Sequence, residues 1–180
     1  MTTATHIIGN IQSNNQLLDT LVGTLGKLGV RATHPPTGEY FYINSQHPAW
    51  HHYDTAIALY ESIAESPFHI IFNDGEINEE VGRQIMYAMT KNRPILMTGA
   101  PKFAASLNPF AREMIMQHMH LFHSINLPGL EQDELKTLIG HLQSCDYHLT
   151  NSEKILINSR VKTHFRKLLE EARDIYVEKI

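Results

Sequence analysis

The chain has a single cysteine, Cys145, in 180 residues. One thiol excludes an internal disulfide and any zinc cluster built on cysteines. It fits a reducing compartment, and the expected location is cytoplasmic. Long hydrophobic runs are missing too: no stretch approaches the ~20 apolar residues of a membrane span, so no membrane partner is expected. The opening "MTTATHIIGN" has no basic lead and no extended apolar core, which argues against a signal peptide. Positive charge is also scarce, with a formal net charge of −4. Without a basic stripe to neutralise phosphates, nucleic acid is not an expected partner. The late basic residues Arg160, Lys162, Arg166 and Lys167 are interleaved with acids in "HFRKLLEEARD" and read as a solvated helix face.

What is present is enough apolar sequence for a core. At this length a chain buries ~70% of its unfolded surface and needs no staples. Short apolar runs alternate with segments of helical spacing. "THIIGNI", "VRATH", "PFHIIF", "PILMTG" and "HLFHSIN" read as five strands. Between them lie helical segments. "NQLLDTLVGTLGKLG" ends on Gly29 as a C-cap, and "DTAIALYESIAES" has Asp54 placed to cap it or sit in its first turn. A third helix is expected from about Asn78 to Lys91, and a fourth in "NPFAREMIMQHM". "PPTGEYFYINSQHPAWHHY" reads as a long loop. After Pro128-Gly129 the character changes to two amphipathic helices, "EQDELKTLIGHLQS" and "RVKTHFRKLLEEARDIYVEK", around an ambiguous "SCDYHLTNSEKILINS".

Strand–helix alternation predicts an α/β fold: a flavodoxin-like, doubly wound, five-stranded parallel sheet with extra C-terminal helices. The expected organisation is an α/β domain over residues 1–128. A helical extension over 129–180 would pack on the same domain or on a neighbouring subunit. Ligands of such sheets bind at the carboxyl ends of the strands, so the loops that follow the strands are the candidate sites.

One of those loops stands out. "FNDGEINEEVGRQ" places Asp74, Glu76, Glu79 and Glu80 within seven residues. Acids in a helix's first turn gain about 0.3–1 kcal/mol each from the macrodipole. Four like charges also repel, by roughly 0.6 kcal/mol per pair at ~7 Å in water and by more than ~2 kcal/mol at an effective dielectric of 20. As a stability device the cluster makes poor sense unless several acids face solvent. As chemistry it fits glycosidic bonds, where a carboxylate stabilises or traps the positive charge developing at the anomeric carbon.

"Glu80-Val81-Gly82-Arg83" opens a helix after the third strand and leads to "Asn92-Arg93-Pro94-Ile95-Leu96". This resembles the E-[LIV]-G-x-A…gk-x-[IV]-L signature of nucleoside 2-deoxyribosyltransferases and of the related deoxynucleoside 5'-monophosphate N-glycosidases. The resemblance covers about residues 5 to 126. It implies that Glu80 is the catalytic nucleophile. It matches Asp54 to an aspartate early in the preceding helix, near the leaving base, and Asp74 to an aspartate that holds the nucleoside. Asn108 takes the place of an asparagine that contacts the sugar, often across a subunit boundary. "HIIGNIQSNNQ" resembles the first loop of the monophosphate N-glycosidases, which makes Gly9, Asn10 and Gln12 candidate substrate contacts. Such enzymes assemble as homo-oligomers with sites near subunit interfaces, and that is the expectation here.

The sequence departs from the signature at three places. Asn78 and Glu76 stand where the family has glycines, and Glu76 can crowd the pocket. Gln84 replaces the motif alanine. Gln12, Asp74 and Asn108 stand where the monophosphate N-glycosidases carry an arginine and serines, and Asp74 would repel a phosphate. A free 5'-hydroxyl is therefore the expected feature of the substrate, unless the substrate is unlike that of either group.

Tyr40, Phe41, Tyr42, Trp50 and Tyr53 lie on or beside the long loop, where a nucleobase could stack; Tyr53 is the chosen candidate. His34, His47, His51, His52, His118, His120 and His123 invite a metal reading, with His118 and His120 on one face of the fifth strand. No H-x-x-x-H pair with a supporting acid appears, so no metal and no cofactor is expected. The leading expectation is cleavage or transfer of an N-glycosidic bond in a small nucleoside or nucleotide. A catalytically silent nucleoside- or nucleotide-binding module is the rival, favoured by the missing glycines. A hydrolase of a ribosyl nucleotide is the third.

Overall fold

The computed structural model describes residues 3–9, 16–33, 48–73, 75–125 and 149–178. Five parallel strands form one sheet in the order β2-β1-β3-β4-β5. They are β1 Thr3–Ile8, β2 Val30–Thr33, β3 His69–Phe72, β4 Ile95–Thr98 and β5 His123–Ile125. Helices α1 Gln16–Lys27, α2 Pro48–Glu65, α3 Glu79–Met89 and α4 Pro109–His118 connect them, and α5 Asn151–Glu178 closes the chain. The fold is thus the α/β, flavodoxin-like arrangement that the alternation of patterns predicts.

Both faces of the sheet are covered because the strands are apolar on both. Ile7 and Ile8, neighbours in β1, point to opposite sides and belong to different clusters. On one side Leu18, Leu21 and Leu25 of α1 meet Ile7, Ile70, Phe72 and Leu96. On the other, α2, α3, α4 and α5 gather Ile63, Ile85, Met89, Ile115 and Ile157 over Ile8, Ile71 and Ile95. Each such side chain contributes about 1.5–3 kcal/mol on burial. Helix α1 stops at Gly29, whose φ of +80° is left-handed and suits the residue expected there as a C-cap.

Helix α5 lies across α2 and α3. Its Ile157 and Val161 are buried, and the Phe165 ring stands edge-on to Tyr60 of α2 at 5.1 Å. It starts at Asn151, so part of the ambiguous segment is helix. The start is a capping box: Glu153 Oε1 accepts from the Thr150 N–H at 2.8 Å, and Thr150 Oγ1 accepts from the Glu153 N–H at 3.1 Å. The Thr150 N–H is the main reason the Glu153 carboxyl sits below its usual range.

Three further expectations need correction. Helix α2 begins at Pro48, not near Asp54, so "PAWHHY" is helical and Asp54 lies within the helix rather than at its cap. Proline suits a first helical turn, where its missing N–H has no partner to lose. The strand expected over "HLFHSIN" is only His123–Ile125, because α4 runs to His118 and a 3₁₀ turn occupies Met119–Leu121. His118 and His120 therefore do not share a strand face. The helix expected in "EQDELKTLIGHLQS" lies outside the described residues, as does the loop segment 34–47.

Candidate active site

The carboxyl ends of β3 and β4 are tied together before either helix starts. Ile77 and Phe103 form a parallel bridge, in which the Ile77 N–H donates to Lys102 O at 2.7 Å and the Ala104 N–H to Ile77 O at 3.0 Å. The Asn73 N–H donates to Thr98 Oγ1 at 3.1 Å. Both helices then begin on an asparagine. Asn78 Oδ1 accepts from the Val81 N–H at 2.9 Å, and Asn108 Oδ1 accepts from the Phe110 N–H at 2.8 Å. These are N-caps, each worth about 1 kcal/mol. Asn78, where the motif has glycine, thus has a local structural reason. Asn108, a candidate sugar contact, has its side-chain oxygen engaged by its own helix.

The carboxylates separate into different environments. Glu76, the residue expected to crowd the pocket, is exposed to solvent. Glu79 Oε1 accepts the Asn108 N–H, which pins the start of α3 to the start of α4. Glu80 has its side chain 44% exposed and is held by side chains. Arg83 Nη1 donates to Glu80 Oε2, and Gln84 Nε2 donates to Glu80 Oε1 at 3.1 Å. From α5, His164 Nε2 comes to 3.6 Å of Glu80 Oε2. Gln84 is 3% exposed and its Oε1 has no hydrogen-bond partner among the described residues. The residue that departs from the motif alanine therefore reaches the motif glutamate directly.

Gly82 explains the glycine of the motif. A Cβ there would come within 3.1 Å of Leu107 Cδ1 and 3.8 Å of Ala111 Cβ. The missing side chain lets α3 approach the loop and helix that carry Asn108. Arg93, in the second half of the signature, serves the other end of the sheet. Its Nη1 donates to the carbonyls of Ala64 and Ser66 at the end of α2.

Charge around Glu80 shifts its neighbours. Burial and the Glu80 charge push the Tyr60 phenol far above the usual tyrosine range, so it is a neutral hydroxyl beside the carboxylate. Burial, helped by the Arg83 guanidinium, lowers His164 below the usual histidine range, while Glu80 opposes the shift.

Between α3, α4 and α5 opens a cavity of about 330 Å³. Arg83 and His164, two of the three side chains grouped around Glu80, also line it. Arg160 and Lys167 line it as well. Lys162, Arg166 and Lys167 are exposed, as a solvated helix face would be, and Arg160 is partly buried.

Gly9 is buried at the carboxyl end of β1. Asn10, Gln12 and Asp74 lie outside the described residues, and the side chains of Tyr53 and Asp54 are not described. Trp50 and Tyr53 belong to α2, not to a loop. Among the described residues, the structure brings Glu80 together with Arg83, Gln84, Tyr60 and His164. Arg83 and Gln84 sit three and four residues after Glu80, the spacing at which helical side chains meet. His164 carried no signal of its own; its contact depends on how α5 crosses α3. Among the described residues, no three His, Cys, Asp or Glu side chains gather where they could hold a metal ion. Nor is any helix among them long and apolar enough to cross a membrane.

No family model matches the chain, and no curated protein matches it. Among solved structures it is similar to the Clostridium botulinum CMP N-glycosidase BcmB, at 15% identity, over 75% of this chain and 98% of that chain, with a TM-score of 0.43. A likeness of this depth does not extend to activity.

Proposed function

We propose that the protein cleaves or transfers an N-glycosidic bond of a nucleoside or nucleotide, with Glu80 as the nucleophile. The observation that carries the reading is the fixed placement of Glu80. It lies in the first turn of the helix after β3, and Arg83 and Gln84 orient its two oxygens. A carboxylate oxygen would attack the anomeric carbon as the bond to the base breaks, and the bonding electron pair leaves with the base. Asp54 would supply the base's proton. Water or a second base would then displace Glu80 from the sugar carbon, which returns the free carboxylate. Asp74 and Asn108 would hold the sugar, with Gly9, Asn10 and Gln12 below it and Tyr53 against the base. A second copy of the chain would complete the site. Electrostatics favour this chemistry, since positive charge develops on the sugar where a negative group already stands.

A silent binding module is the second reading, and one observation favours it. Both Glu80 oxygens already have partners on their own helix, which would suffice for a structural role. Incubation with a panel of nucleosides and 5'-monophosphates, with and without a second free base, separates the readings. Base exchange identifies a transferase and free base alone a hydrolase, each abolished in Glu80→Gln. No turnover of any compound by wild type leaves the binding module.

A further inference from the structure

The cavity between α3, α4 and α5 has a chemistry that the glycosidic reading does not use. Its α5 wall presents Ser159, Arg160, Thr163, His164 and Lys167, one face of the helix at spacings of three and four. Neither Arg160 nor Lys167 forms an ion pair among the described residues, whereas Arg83, the third cation of the lining, is engaged by Glu80. Of the acids nearby, Glu79, which lines the cavity, accepts the Asn108 N–H, Glu80 accepts from Arg83 and Gln84, and Glu171 lies one turn beyond Lys167 on α5. Arg160 is also set in place. Its guanidinium carbon lies over the Phe110 ring, 4.0 Å from the centroid. The Ser159 hydroxyl stands on the same wall, whereas the Thr163 hydroxyl donates to Ser159 O at 2.9 Å.

We infer that this cavity is an anion site for a phosphate or phosphomonoester dianion, held by Arg160 and Lys167 with the hydroxyl of Ser159. A planar guanidinium, an ammonium and a hydroxyl match the several acceptor oxygens of such a group. A cavity of about 330 Å³ is larger than a phosphate alone needs and leaves room for the organic part of an ester. The anion comes either from the substrate, as its 5'-phosphate, or from free phosphate acting beside the site. The inference does not depend on Glu80 as nucleophile, because binding is read without turnover.

The test titrates the full chain with inorganic phosphate at constant ionic strength and follows backbone amide shifts by NMR. Three proteins are compared: wild type, Arg160→Gln/Lys167→Gln, and Lys162→Gln/Arg166→Gln. Both double variants remove two positive charges from α5, but the second removes them from exposed positions outside the cavity. Saturable shifts confined to residues 159–167 and the facing part of α3, weakened at least ~10-fold only in the cavity variant, are expected. Equal weakening in both variants, or shifts that never saturate, would overturn the site. Parallel titrations with a nucleoside and with its 5'-monophosphate assign the source. Tighter binding of the ester than of phosphate or nucleoside alone makes the anion part of the substrate. Phosphate that binds unchanged beside the nucleoside, with no gain for the ester, makes it a separate ligand of the same cavity.

Discussion

The two ends of β3 use polar side chains differently. At its amino end every partner is backbone. Thr5 Oγ1 donates to Phe68 O at 2.6 Å, and Ser66 Oγ accepts the His6 N–H at 2.9 Å while donating to Ser62 O at 2.7 Å. His69 Nε2 meets Ile63 O at 2.9 Å, and Arg93 holds the last carbonyls of α2. These groups satisfy chain ends that would otherwise be buried without partners. At the carboxyl end Glu79 still accepts the Asn108 backbone N–H, but around Glu80 polar side chains meet one another: Glu80 with Arg83, Gln84 and His164. Nothing in the backbone requires that group. Buried polar residues that close the main chain account for the fold, and a knot of side chains at the strand ends calls for a chemical explanation.

The comparison breaks most visibly at Glu80. Glu80→Gln keeps the shape of the side chain and is expected to reduce turnover at least ~10³-fold. Stability should change by less than about 1 kcal/mol, because the Glu80 carboxylate of the Arg83 pair is 44% exposed and screened by solvent. Equal losses of stability and activity would place Glu80 with the structural end. Steady-state rates and urea midpoints on the same preparations decide it.

At the amino end the largest effect is pH-dependent. Burial lowers His69 to a pKa of about 4. The unfolded chain binds a proton near pH 6.5 that the folded chain refuses, so stability is full above that pH and falls as pH drops toward 4. The loss approaches about 3 kcal/mol for this residue. Urea melts from pH 7 to pH 4.5 should show a shallower decline in His69→Gln than in wild type; parallel slopes would remove His69 as the cause.

Arg93→Ala strips the carbonyls of Ala64 and Ser66 and is expected to cost about 2 kcal/mol, with catalytic rates retained at permissive temperature. Smaller again are two glycine changes that sharpen the contrast. Gly82→Ala forces Leu107 aside and should destabilise by about 1 kcal/mol. Gly23→Ala, on exposed α1 with no atom within 4 Å of the new Cβ, should stabilise by about 0.5–1 kcal/mol. Thermal melts giving the same sign for both would show that Gly82 is not a packing requirement.

Much of the fold was legible because the signals were local. Apolar runs such as "HIIF" and spacings such as Val81, Ile85 and Met89 report burial directly, and alternation implies parallel strands. The errors have physical causes. Pro48 opens α2, but a proline among histidines and aromatics reads as loop. The capping box Thr150–Glu153 was a readable start signal for α5. At the site, Glu80 and Gly82 were marked by their motif, and the spacing of Arg83 and Gln84 follows from any helix. His164, Arg160 and Lys167 join them only through the crossing of α5 over α3, which no local pattern encodes. Their alternation with acids pointed instead to solvent.

If Glu80 is the nucleophile proposed above, it bonds to a sugar during turnover. Intact-protein mass spectrometry after rapid mixing with a panel of nucleosides and 5'-monophosphates tests it most directly. The account predicts an added pentosyl or phosphopentosyl mass on wild type and on Glu79→Gln, with none on Glu80→Gln. An adduct that persists in Glu80→Gln, or base release by wild type with no adduct at any time, would contradict it.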